Sequence, residues 1–207
     1  MTHTLNRKGL SEDRRGEEIV FLAMVHRRQK TEKIESMKQI AATVLKYQPL
    51  NILGAPLGME PEDIVSMCAQ AGIVTAVFSS QSDVQALVAE IKSQKLGISV
   101  VLSGLFSDVH DICRATGLTE HTFNLSLGIF GNTRLLPDEK TLEITTQCGH
   151  ALISPYLVKK LVQKIRKGKM QSSEAAAMLV KPCVCGIGNP QRIKRLLDEQ
   201  VVAQQPA

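Results

Sequence analysis

The chain alternates between short apolar runs and segments whose apolar residues recur at helical spacing. Ile19 to Val25 is a continuous apolar run, which predicts a strand buried on both faces. The strand-like "THTLNRK" before it, joined through polar "GLSEDRRG", predicts an N-terminal hairpin. In "TEKIESMKQIAATVLKYQ", Ile34, Met37, Ile40, Ala41, Val44 and Leu45 form one helical stripe, with Thr31 as the expected cap. Three strand–helix pairs follow: "LNILGA" with "EPEDIVSMCAQAG", "IVTAVFSS" with "SDVQALVAEIKSQKLG", and "ISVVLSG" with "SDVHDICRATG". Strands alternating with capped helices predict an α/β fold, with a small parallel sheet, mixed at its edge, flanked by helices.

The texture changes at His121. "HTFNLSLGIFGNTRLLPDEKTLEITTQ" carries two strand-like pieces among turn residues, so 118–147 reads as a strand- and turn-rich connector closing an α/β domain of residues 1–147. Beyond it the pattern is helical. Ser154 and Pro155 open one helix that Gly168 stops, "SSEAAAMLVK" is a second, and Asn189 and Pro190 open a third. Residues 148–199 thus read as a helical module and 200–207 as a frayed tail.

Composition narrows the classes. The 207 residues are 43% hydrophobic but only 3% aromatic, with no Trp. The core must be aliphatic, and base stacking on aromatic rings is poorly provided for. A net charge of +5 favours anionic partners without the strong basic stripe of a nucleic-acid binder, so a nucleic-acid partner is not expected. No apolar run approaches membrane-span length and the N-terminus lacks a signal-peptide core, so a cytoplasmic protein with no membrane partner is expected. In that reducing setting the five cysteines read as thiols or metal ligands rather than structural disulfides.

Four of the candidate ligands form a pattern. Cys148-Gly149-His150 precedes the first C-terminal helix and Cys183-Val184-Cys185 precedes the third, with thirty-two residues of helical hairpin between the pairs. A hairpin can bring both loops to one end of a small bundle. There, helix N-termini and glycine-freed N–H groups favour anionic sulfur. Three thiols and an imidazole make a complete four-ligand set for iron–sulfur or for zinc. Metal-free redox thiols and a plain turn stay open beside them.

Residues 148–199, about a quarter of the chain, resemble the small helical [2Fe–2S] domain typified by bacterioferritin-associated ferredoxin. They do so in the rhythm "CGH-ALISPYLVKKLVQKIRKGKMQSSEAAAMLVKP-CVC-GIGNPQRIKRLL". The family has C-x-C where this chain has C-x-H, and C-x-x-C where it has C-x-C. The resemblance implies a metal-binding module with a [2Fe–2S] cluster, zinc being the alternative. Its ligands would be Cys148, Cys183 and Cys185, with His150 standing in for the fourth. A redox protein for electron transfer or redox sensing follows. A neutral imidazole in place of a thiolate would leave the cluster less negative and easier to reduce.

The α/β half suggests a small anionic ligand. Ligands in open parallel sheets bind beyond the strand C-terminal ends. Those ends carry Gly54, Gly58, Ser79, Ser82, Ser103 and Gly104, with Ser107 nearby. Neither dinucleotide nor P-loop glycine signatures are present, and no residues stand out as catalytic. An α/β enzyme with its site at those ends, or a binding or scaffold protein with structural zinc, remain the competing readings. Lys159, Lys160, Lys164, Arg166 and Lys167 on one helix suit an acidic redox partner. His110 and Cys113, three apart, and Cys68 read as packing or capping residues.

Overall fold

The computed structural model describes residues 6–203 and resolves two compact units. Residues 10–122 with 184–187 form the α/β unit. Among the described residues, 6–9, 123–183 and 188–203 form a helical one.

The α/β unit is built on β1 (Ile19–Met24), β2 (Asn51–Ile52), β3 (Ile73–Phe78) and β4 (Ser99–Ser103). Between and after them run α1 (Ile34–Lys46), α2 (Pro61–Ala71), α3 (Gln81–Gln94) and α4 (Phe106–Ala115). The strand order is β2-β3-β1-β4. The two most apolar strands take the centre because both of their faces are buried. Ile19, Phe21 and Ala23 of β1 and Val74, Ala76 and Phe78 of β3 share one face. They pack with Met37, Ile40 and Val44 of α1, Ile64 and Cys68 of α2, and Leu87 of α3. Val20, Leu22, Thr75 and Val77, on the opposite face, are buried as well.

The expected parallel sheet is not formed: β1–β3, β1–β4 and β2–β3 all pair antiparallel. Opposed pairings make β1 and β2 parallel to each other with β3 between them. They make β3 and β4 parallel with β1 between. Helices α1 and α3 therefore join parallel strands, but each such pair is split by an inserted antiparallel strand. Alternation of strand and helix is common to both arrangements; the choice of neighbour is not written in it.

Among the described residues the N-terminal hairpin does not form either. Asn6, Arg7 and Lys8 form no strand, and β1 pairs with β3 and β4 instead; Thr2 to Leu5 lie outside the described residues. Thr31 does not cap α1, which begins after Lys33. The turn before β1 is instead fixed by a buried carboxylate on α4. Asp108 is 1% exposed and accepts from the Gly16 N–H at 2.8 Å and from Arg15 Nε at 3.1 Å. Asp108→Ala leaves the Gly16 N–H without its acceptor while Arg15 keeps Asp111 at 2.6 Å, so a loss of about 1–3 kcal/mol is expected in urea unfolding.

The helical unit contains α5 (Glu139–Thr145), α6 (Pro155–Arg166), α7 (Ser172–Val180) and α8 (Pro190–Val202). Ser154 caps α6 by accepting from the Leu157 N–H and Asn189 caps α8 by accepting from the Arg192 N–H, as the sequence predicts. Leu142, Ile153, Val158, Leu161, Leu179, Ile193 and Leu197 form its aliphatic core. The strands expected within 118–147 do not form: that stretch holds α5, one turn of 3-10 helix at Thr133–Leu135, and irregular chain. The expected boundary after residue 147 falls inside the helical unit, whose main segment begins at Phe123. The tail begins later than expected, because α8 runs to Val202 with Gln200 buried; residues 204–207 lie outside the described residues.

Candidate functional site: a buried thiolate at Cys148

Cys148 and Cys183 come together inside the helical unit. Cys148 follows α5, its N–H donating to the Thr145 carbonyl at 3.3 Å; Cys183 follows α7, its N–H donating to the Val180 carbonyl at 2.9 Å. Neither is in a disulfide, and they are 2% and 0% exposed. The helical hairpin between them returns the chain to where it left, as the spacing implies.

The loop after Cys148 curls around its sulfur. The Ala151 N–H donates to the Cys148 carbonyl at 3.0 Å, and Ala151 itself lies at φ +56°, left-handed backbone that a side chain adopts at a cost of roughly 1–2 kcal/mol. With that bend, the backbone N–H groups of both His150 and Leu152 donate to Cys148 Sγ. Converging N–H groups around one left-handed residue make an anion-binding nest.

The electrostatics follow from these donors. A hydrogen bond from the Cys183 thiol lowers the Cys148 pKa most. Burial opposes it, and the Leu152 and His150 N–H groups and the nearby imidazole lower it further. The net result is a pKa well below the ordinary thiol value, at about 5. Two other cysteines behave oppositely. Burial pushes the Cys68 thiol up to about 11, and burial followed by Glu120 raises Cys113. They are packing residues, and His110 sits 3.1 Å from Glu120.

A second layer fixes the two sulfur-bearing loops. The side chain of Gln147, fully buried, accepts from the Asn189 N–H at 2.9 Å, which ties the residue before Cys148 to the cap of α8. Arg7 donates to the Gln147 carbonyl at 2.8 Å, and the Lys8 N–H donates to Thr146 Oγ1 at 3.0 Å. The buried Arg192 guanidinium donates to the Lys8 carbonyl. Sequence reading missed Gln147, Ala151, Arg7 and Arg192. A Gln directly before a candidate ligand cysteine was the one available signal.

The other two expected ligands differ in setting from this pair. His150 is exposed. Cys185 belongs to residues 184–187, which group with the α/β unit; its carbonyl accepts from Thr75 Oγ1 at 2.6 Å. No group of three or more His, Cys, Asp or Glu side chains converges as a metal site among the described residues. The two sulfurs fit a thiolate-held group in kind, by burial and by N–H donors, but do not by themselves close a four-ligand set.

The six positions proposed for an anionic ligand are not gathered at one edge. Because β2 runs opposite to β3, and β4 runs parallel to β3, Gly54 and Gly58 lie at the sheet end opposite Ser79, Ser82, Ser103 and Gly104. A crevice at strand C-terminal ends requires those ends to coincide, and antiparallel order removes that coincidence. The space beside Gly54 is filled by Met67, Met59 and Ile64, and that beside Gly104 by the Glu18 carbonyl. Ser80, rather than Ser79 or Ser82, caps α3, accepting from the Asp83 N–H at 3.2 Å.

Neither protein-family models, curated proteins nor solved structures give a match to this chain. No helix among the described residues is long and apolar enough to cross a membrane.

Proposed function

We propose that this chain is a redox protein whose centre is built on the Cys148 thiolate and Cys183, with an iron–sulfur cluster as the group they hold. One arrangement carries this reading: Cys148, 2% exposed, lies against the Cys183 thiol and two backbone N–H groups whose hydrogen bonds lower its pKa. Burial alone would protonate it, as it does Cys68. Thiolates stabilised away from water are suited to metals more than to attack on bulky substrates. The resemblance of residues 148–199 to a helical [2Fe–2S] domain points the same way, with His150 and Cys185 as the further ligands it implies. A bound cluster would supply one-electron transfer, in electron carriage or redox sensing. This chain's residues hold the thiolate, exclude water and present exposed Lys159, Lys160 and Lys167 to an acidic partner.

A second reading is favoured by the absence of a third converging ligand among the described residues. The Cys148 thiolate would then attack a disulfide oxidant and release one of its sulfurs as a thiolate, and Cys183 would displace the other as their own disulfide closes, so that the pair gives up two electrons and the single proton of Cys183. Anaerobic purification with iron, sulfide and zinc assays separates the readings. Iron and sulfide with broad visible absorption, both lost in Cys148→Ser, are expected. Stoichiometric zinc would replace the redox reading with a structural one. A metal-free, folded protein that consumes two thiols with oxidised glutathione would establish the dithiol instead.

A further inference from the structure

Residues 119–132 form neither helix nor strand, yet their pattern is that of a strand. Phe123, Leu125, Leu127 and Ile129 alternate with Asn124, Ser126 and Gly128, the period-2 spacing of one apolar face. That face is open to solvent at Phe123, Leu125 and Leu127, which are 62%, 65% and 85% exposed. These three side chains present on the order of 300 Å² of apolar surface. Apolar surface on that order, aligned on one face of a strand pattern, marks an interaction surface.

A matching feature lies in the sheet. Among the described residues, β4 pairs only with β1, so its outer edge has no neighbouring strand. Strand edges are ordinarily defended by charge, proline or a bulge. The stretch "ISVVLSG" that contains β4 has no charged residue and no proline, and β4 keeps unbroken register with β1 from Ser99 to Ser103. "TFNLSLGIFG", residues 122–131, carries no charge either, so no like-charge repulsion opposes contact between the two. One segment has strand pattern and no sheet; the other is a sheet edge with no strand.

We propose that residues 123–130 of one copy add as an extra strand to the outer edge of β4 in a second copy, reciprocally, so that the chain is a strand-exchanged dimer. The occupant is a second copy because the area fits. In a reciprocal exchange each chain buries both its own arm, with Phe123, Leu125 and Leu127, and its own β4 edge, together on the order of the roughly 800 Å² per partner of a stable interface. Backbone pairing supplies the affinity, and the alternate Leu125 and Leu127 fix the register.

Sedimentation of the full chain tests this, read beside hydrogen exchange of the β4 amides. The wild-type chain is expected to be a dimer, with Val100–Leu102 amides slowing as concentration rises. Leu125→Glu with Leu127→Glu is expected to weaken dimerisation at least about 100-fold and to abolish that concentration dependence. Both side chains are exposed, so the variant should keep the helical circular dichroism of the wild type and melt as the wild-type chain does when diluted to monomer. Val101→Lys, a charge placed on the edge strand, should weaken the dimer independently. A wild-type monomer would overturn the proposal, whether or not the arm then binds lipid vesicles. So would open-ended polymers, a double variant that still dimerises, or a dimer whose β4 amides exchange no more slowly than in the monomer.

Discussion

Gly186→Ala is expected to destabilise the α/β unit by about 3–5 kcal/mol, a large loss for the addition of one methyl group. Two effects add. Gly186 lies at φ +62°, where a side chain costs roughly 1–2 kcal/mol. A Cβ there would also lie well under 3.0 Å from the Ile52 carbonyl group and the Leu53 nitrogen, all backbone atoms that no rotamer change can move. The close approach belongs to residues 184–187, which lie against β2 with Ile187 fully buried and the Cys185 carbonyl bonded to Thr75. Gly168→Ala is the control. That glycine has nearly the same backbone, φ +64°, but nothing within 4 Å of its Cβ position. It should cost only the left-handed penalty, about 1 kcal/mol. Urea unfolding of both variants isolates the packing contribution, and equal losses would show that the approach of Gly186 to β2 does not exist in solution.

The second large effect concerns Cys148. Its folded pKa is depressed from 9.0 to about 5. The folded form therefore releases a proton that the unfolded form retains. The resulting stabilisation is complete above pH 9, declines as pH falls, and is gone below about 5. Across that window stability should rise with pH by up to about 1.4 kcal/mol per unit relative to Cys148→Ser, which lacks the titrating group. Cys183→Ala removes the strongest donor, so the Cys148 pKa should climb toward 9.0 and the window should narrow from its acid side. Cys183→Ser keeps a donor and should restore part of the shift. Far-ultraviolet thiolate absorbance against pH reads the pKa directly, and denaturation at several pH values reads the stability. A Cys148 pKa unaltered in Cys183→Ala would mean that the two sulfurs do not interact.

Both effects sit next to the Cys183-Val184-Cys185 sequence, and the sequence conveyed only part of what happens there. The hairpin of α6 and α7 was legible from its caps and stripes, because Ser154, Pro155, Gly168, Asn189 and Pro190 act through local backbone chemistry. A hairpin of that length implies that Cys148 and Cys183 can meet. The assignment of Cys183 and Cys185 to different units was not legible. It depends on Gly186 docking on β2, more than a hundred residues earlier in the chain, and nothing in a C-x-C spacing encodes a partner that distant.

The sheet divides the same way. Hydrophobicity marked the four segments that do form the sheet, and the continuous apolar run of Ile19–Ala23 must hide both faces from water, but it also marked strands near the N-terminus and within 118–147 that do not form among the described residues. The amphipathic stripes fixed α1 and α3 for the same reason. Strand direction and neighbour order are set by which backbone edges find one another once the helices have covered the sheet, and a run of Val and Ile pairs equally well either way. The error carried into the proposed anion site, whose six residues shared an edge only in a parallel sheet. Composition and periodicity therefore determined most helices, the four sheet strands and the aliphatic core, because these follow from local backbone chemistry and from hiding apolar side chains. Long-range pairing decided the antiparallel order, the approach of Cys183 to the local nest around Cys148 and the unit to which each cysteine belongs.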